Sequence, residues 1–177
     1  TIYQDIRNAK KIDRIFKKFN PHIVFHLAAQ SIVRDSYIKP IETYQTNVIG
    51  TLNVFEASRK CSNLVAIINV TSDKCYENLE KKNYFAENDK LGGNDIYSSS
   101  KASSEILTKS YRNSFLNIKN YNKGHKILLA SARCGNVIGG GDWSDLRLIP
   151  DIVKSISRNK KILVRSPNSI RPWIYIL

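Results

Sequence analysis

The sequence predicts an α/β fold, a Rossmann-like doubly wound parallel sheet, and three observations carry that reading. Short apolar runs rich in β-branched residues recur along the chain, segments with apolar residues at helical spacing separate them, and small or polar residues gather where each run ends. Runs that are apolar without alternation belong to strands covered on both faces, which is the habit of parallel sheets. No internal repeat or low-complexity tract interrupts the order.

The elements follow in turn. Residues 8–19 carry Ile12, Ile15, Phe16 and Phe19 at helical spacing, and Asn20-Pro21 ends that helix because proline has no amide hydrogen to donate. Ile23-Val24-Phe25-His26-Leu27 is the first buried strand, with Ala28-Ala29-Gln30-Ser31 at its end. A second helix after Pro40 places Tyr44, Val48, Leu52 and Phe55 on one face and stops near Lys60. Leu64 to Val70 is the second strand, ending in Thr71-Ser72-Asp73-Lys74. Residues 78–94, polar and glycine-bearing, read as a loop, and a third helix runs from near Tyr97 to near Phe115. Asn117 to Gly124 joins it to a strand from Lys126 to Ala132, which ends in Arg133 to Asn136. Ile149, Ile152, Val153 and Ile156 form a helix face ahead of a strand at Ile162-Leu163-Val164. Ligands of open parallel sheets bind beyond the carboxyl ends of the strands, so the three strand-end clusters mark the edge where a site is expected.

Composition narrows the function classes. With 42% hydrophobic and 24% charged residues the chain is an ordinary globular sequence, and no stretch approaches the roughly 18 to 20 apolar residues of a membrane span. The net charge of +13 raises the question of nucleic acid, with Lys10, Lys11, Arg14, Lys17 and Lys18 as its best support. The apolar spacing of the same segment leaves those bases on a solvated face, so no nucleic-acid partner and no membrane are expected. Cys61, Cys75 and Cys134 are odd in number and outside any Cys-x-x-Cys pattern. They indicate neither disulfides nor a metal site and fit a reducing cytoplasm; Cys75 is read as packing and His26 as a structural histidine. The chain has no Met and stops in Ile174-Tyr175-Ile176-Leu177, so a fragment cut at both ends is expected.

Chemistry concentrates in two places. If Tyr97 opens a helix, Lys101 shares its face one turn on, and the ammonium favours the ionised phenol, which makes Tyr97 a base. Ser72 offers a hydroxyl for the same substrate oxygen, with Asp73 an acid and Lys74 a second base. The set points to oxidation of an alcohol. Gly139-Gly140-Gly141 lacks the spacing of a dinucleotide phosphate loop and reads as a tight turn on the substrate side.

On these residues the chain resembles the extended short-chain dehydrogenase/reductase family and, within it, the nucleotide-sugar 4,6-dehydratases. The general marks are His26-Leu27-Ala28-Ala29-Gln30, Thr46-Asn47-Val48-Ile49-Gly50-Thr51 and Tyr97-x-x-x-Lys101. More specific are Thr71 to Glu77, Leu91-Gly92-Gly93, Gly135 to Trp143 and Ile170-Arg171-Pro172-Trp173. The resemblance implies NAD as cofactor, a nucleotide sugar as substrate, and a homodimer formed through the helices near residues 40–60 and 97–115. It implies catalytic roles for Ser72, Asp73, Lys74, Tyr97 and Lys101. Cofactor contacts fall on Asp5, Ile6, Leu27, Ala28, Ala29, Gln30, Thr46, Tyr97 and Lys101, and substrate contacts on Ser31, Asn136, Arg147, Leu148 and Arg171. Residues 1–137 then form an NAD-binding domain lacking its first strand and glycine-rich loop, and 138–177 begin an incomplete substrate-binding region interleaved with it. Lys74 departs from the thymidine-linked relatives, which carry Glu there, and a lysine acts as a base only when neutral. A nucleotide-sugar epimerase or a dTDP- or GDP-sugar 4,6-dehydratase of the same fold, and a non-catalytic dinucleotide-binding module, are the competing readings.

Overall fold

The computed structural model describes residues 1–78 and 84–176. Residues 79–83 of the expected loop, and Leu177, lie outside the described residues. Two compact units are present, Thr1–Arg133 and Cys134–Leu177.

The first unit is α/β. Helix α1 (Ala9–Phe19) starts at Asn8, whose side chain accepts the Lys11 N–H at 3.1 Å, and ends at Asn20 in the left-handed region, with φ 41°. Its bases Lys10, Lys11, Arg14, Lys17 and Lys18 are exposed, while Ile12 is buried. Strand β1 (Ile23–His26) follows, then α2 (Val33–Ile38) and α3 (Pro40–Tyr44). One π-helical turn, Gln45–Gly50, leads directly into α4 (Thr51–Ser58). The extra residue in that turn offsets the usual helical drift, so Thr43, Asn47 and Thr51 line up as one buried row. This differs from the expected apolar face: Phe55 is buried and Leu52 packs beside it, but Tyr44 and Val48 are only half-buried. Strand β2 (Ala66–Val70), helix α5 (Ile96–Ser114) and strand β3 (Leu128–Ala132) complete the unit.

The three strands are parallel in the order β1-β2-β3, with Val24 beside Ile67 beside Leu129 and His26 beside Asn69 beside Ser131. Ile67 and Leu129 meet Phe55, Leu64, Tyr111, Leu116 and Ile127 in the main core, against which Phe16, Val24 and Leu107 also pack. Helices α1, α4 and α5 therefore cover this face. The opposite face of these three strands carries exposed Ile23, Phe25 and Leu128, so α1, α4 and α5 all lie on one face. The reason is topological: right-handed crossovers that add strands in one direction put every connecting helix on one side, and the order β1-β2-β3 contains no reversal.

In the second unit strand β4 (Asn136–Ile138) pairs in parallel with β5 (Trp173–Tyr175), and α6 (Leu148–Ser157) lies between them in sequence. The strand expected at Ile162-Leu163-Val164 is absent; those residues are exposed and unpaired in any sheet, and Trp173–Tyr175 takes the place beside β4. An apolar run alone does not make a strand; it needs an edge to pair with. The glycine turn after β4 has Gly141 at φ +82°, a conformation that suits glycine. No helix of the described residues is long and apolar enough to cross a membrane. No group of three potential metal ligands occurs among them.

Candidate active site

The site assembles at the carboxyl end of β2. Beyond Val70 the backbone stays extended through Ser72, which caps a single 3-10 turn, Asp73–Cys75. Ser72 Oγ accepts the Lys74 N–H at 3.2 Å and donates to Asp73 Oδ1 at 3.0 Å, and Lys74 Nζ lies 3.5 Å from the same carboxylate oxygen. Ser72, Asp73 and Lys74 thus form one hydrogen-bonded cluster. Ser72 is buried, whereas the Asp73 and Lys74 side chains are partly exposed. Cys75 behind them is fully buried, and burial pushes its thiol up to about 11, which keeps it protonated and fits packing rather than nucleophilic attack.

Helix α5 packs against this turn. Asp95 starts the helix, its two carboxylate oxygens accepting the Ser98 N–H at 2.9 Å and the Ser98 hydroxyl at 2.6 Å. That cap places Tyr97 in the first helical turn and Lys101 one turn later, both buried on the same face. Gly92-Gly93 lets the preceding chain press onto the start of the helix: a Cβ on Gly93 would fall 2.3 Å from the Ser99 nitrogen.

The β1 edge is tied to the same helix by Asn47, a residue not singled out as functional in the sequence. Its amide oxygen accepts the Gln30 N–H at 2.8 Å, and its nitrogen donates to Gln30 O at 3.0 Å and to Ser100 Oγ at 2.9 Å. Ser100 Oγ in turn donates to the Tyr97 carbonyl at 2.7 Å. The signal available was Asn47's place inside the Thr46 to Thr51 run; the π turn that aims it has no local sequence mark. Below it His26 Nε2 lies 2.9 Å from Thr51 Oγ1. Thr51 donates its one proton to Asn47 O at 2.8 Å, so His26 Nε2 is the donor to Thr51. Burial, helped by the nearby Lys101 charge, lowers His26 to about 4, and it is neutral and structural as expected.

Thr71 and Arg133, at the ends of β2 and β3, meet Glu105 of α5. The Glu105 carboxylate accepts the Thr71 hydroxyl and, at 2.8 Å, an Arg133 nitrogen. Burial alone would raise Glu105, but the Arg133 and Thr71 hydrogen bonds outweigh it and hold the carboxyl below its ordinary value.

Of the remaining expected contacts, Leu27 and Ala28 stand exposed at the end of β1, with Ala29 and Gln30 half-buried. The Gln30 side chain turns inward to Ile32 and Thr43. Ser31 is exposed, and Thr46 lies half-buried in the π turn. Asp5 is exposed, its carboxylate held by Arg7, while Ile6 packs against the cluster of Ile12, Val54 and Ala57 and its carbonyl accepts from Asn53 at 2.9 Å. Asn136, Arg147, Leu148 and Arg171 all belong to the second unit. There the Asn136 N–H bonds Pro172 O at 2.9 Å, Arg147 pairs with Asp142 at 2.9 Å ahead of α6, Leu148 is its first residue, and Arg171 is exposed.

A family model described as GDP-mannose 4,6 dehydratase matches residues 1–177. A CDP-glucose 4,6-dehydratase of Salmonella typhimurium is 50% identical over 173 residues, covering 98% of this chain and 48% of that protein. A dTDP-glucose 4,6-dehydratase structure from Streptomyces venezuelae with NAD bound superposes with TM-score 0.83 at 21% identity, over 98% of this chain and 50% of that one. The dTDP-glucose 4,6-dehydratase of Bacillus anthracis in complex with NAD gives TM-score 0.77 at 27% identity, with coverages of 98% and 50%. The chain spans about half the length of the relatives it matches.

Proposed function

The chain belongs to the family described as GDP-mannose 4,6 dehydratase, and on that premise we propose that the protein carrying it is an NAD-dependent nucleotide-sugar 4,6-dehydratase acting on CDP-glucose. The observation that carries the reading is the Ser72-Asp73-Lys74 cluster packed against the helix of Tyr97 and Lys101. A 50% identical relative named for CDP-glucose supports the choice of nucleotide.

The strand edge fits NAD: Ala28 and Ala29 carry nothing beyond a Cβ, Leu27 is exposed there, and Lys101 comes in from the neighbouring helix. Asp5, Ile6, Leu27, Ala28, Ala29, Gln30, Thr46, Tyr97 and Lys101 would hold it, and when bound it supplies a hydride acceptor that is regenerated within each turnover. Tyr97 accepts the proton of the sugar 4-hydroxyl, with Lys101 favouring the phenolate and Ser72 bonding the reacting oxygen. The resulting ketone acidifies the C5–H bond. Elimination of the 6-hydroxyl needs a base at C5 and an acid at the departing oxygen, and Lys74 and Asp73 are paired for both. Ser31, Asn136, Arg147, Leu148 and Arg171 are assigned to the sugar nucleotide, with the Arg171 fork suited to a diphosphate.

Exposed Ile41, Ile49 and Ile106 on the α3–α4 segment and α5 support the homodimer, and the cytoplasm is its expected compartment. The test is incubation of the full-length protein with CDP-glucose: a 4-keto-6-deoxy sugar without net NADH is the expected result. Steady NADH release, or a C4 epimer that keeps its 6-hydroxyl, would sink the assignment in favour of a dehydrogenase or epimerase.

A further inference from the structure

Two chemically distinct parts of the proposed site come from separate elements. Ser72 belongs to the end of β2, and Tyr97 and Lys101 belong to α5. Nothing covalent near the site fixes their spacing, yet the hydroxyl and the phenol must address one oxygen atom.

Among the side chains that join them, Thr71, Glu105 and Arg133 lie nearest the Asp73–Cys75 turn. Thr71 is the residue before Ser72, and Glu105 lies one helical turn beyond Lys101 on the Tyr97 face of α5. One oxygen of Glu105 accepts the Thr71 hydroxyl, and the other accepts Arg133 at 2.8 Å. From its other nitrogen Arg133 donates to the Tyr76 hydroxyl at 2.9 Å and to the Glu87 carbonyl at 3.0 Å. Its guanidinium also stands 4.9 Å from the centre of the Tyr76 ring, which stacks on Phe85 at 4.6 Å. The pair therefore grips both ends of the Asp73–Cys75 turn, Thr71 before it and Tyr76 after it, and fastens them to α5. Glu105 is 3% exposed and Thr71 5%. An ion pair with one buried and one partly exposed partner is a modest source of net stability, because desolvation offsets much of its attraction, whereas its directional bonds fix geometry.

We propose that Glu105 and Arg133 are positioning residues for the alcohol-oxidising step, holding the Ser72 hydroxyl in line with the Tyr97 phenol; this rests on the reaction proposed above. Neither touches substrate. Their effect is on alignment, to which transfer steps respond steeply.

The experiment compares the full-length wild type with Thr71→Val, Glu105→Gln and the double variant Glu105→Gln/Arg133→Gln, measuring kcat, KM, melting temperature and the isotope effect of substrate deuterated at C4. Thr71→Val is nearly isosteric and leaves the ion pair whole, so it decides alone if Glu105→Gln does not fold. Both single variants should lose about 10-fold or more in kcat with KM changed less than about 3-fold, and the isotope effect on kcat should grow. The double variant, free of an unpaired charge, should regain most of the melting temperature lost by Glu105→Gln but not the rate. Recovery of kcat along with melting temperature, or a wild-type kcat in Thr71→Val, overturns the positioning role. A wild type that forms no 4-keto-6-deoxy sugar instead overturns the reaction, an outcome distinct from an active enzyme whose variants keep full rate.

Discussion

Two rows of side chains on the helix-covered face of the sheet lie two residues apart on each strand and do different work. The row Val24–Ile67–Leu129 is apolar and sits in the main core with Phe55 and Tyr111. The row His26–Asn69–Ser131, nearer the strand ends, is polar: Asn69 donates to Ser104 and Thr108, and His26 donates to Thr51. One step further lie Thr71 and Ser72. Apolar packing is non-directional and tolerates small shifts, while hydrogen bonds between buried groups fix distance and angle. The change from one row to the next is thus a change from holding the fold together to holding the site in register.

Separate substitutions should pull those two tasks apart. The largest effect is expected at the site itself: Tyr97→Phe in the full-length protein should cut kcat by about 10³-fold, with a melting temperature within about 4 °C of wild type. A comparable loss of folding would blur the distinction. In the apolar row Ile67, 1% exposed, should behave oppositely. Ile67→Ala leaves a cavity and should cost about 2–5 kcal/mol by denaturant unfolding, with kcat of the folded fraction little changed.

The polar row should reveal itself through pH. His26 is lowered to about 4 by burial first and by Lys101 second, so the unfolded chain binds the proton more readily than the folded one. Its contribution is fully present above about pH 6.5 and is lost as pH falls toward about 4, up to about 3 kcal/mol. His26→Gln should flatten the stability profile in that window. An unchanged slope would place the titration elsewhere.

Much of this was legible in the sequence. Helix α5 could be read because Tyr97 and Lys101 obey four-residue spacing, a rule that operates within a single helix. Strands β1, β2 and β3 announced themselves by continuous apolar runs and fell in register as parallel neighbours. The strand at Trp173–Tyr175 did not, because Ile162-Leu163-Val164 is the more apolar run and only the edge of β4 decides which segment pairs. Asn47 was hidden by a π turn that resets helical phase. The Glu105–Arg133 pair joins residues far apart in sequence, and no local periodicity encodes such a contact. That α1, α4 and α5 share one face follows from strand order, which composition does not carry.

The dehydratase reading rests most heavily on Asp73 beside Ser72 and Lys74. The most direct test is single-turnover analysis of Asp73→Asn in the full-length, NAD-loaded protein with CDP-glucose. Oxidation at C4 should proceed and reduced cofactor should build up on the enzyme, while formation of the 6-deoxy product slows by about 10²-fold. A 6-deoxy product formed at the wild-type rate, without that build-up, would contradict the role of Asp73 and the account built on it.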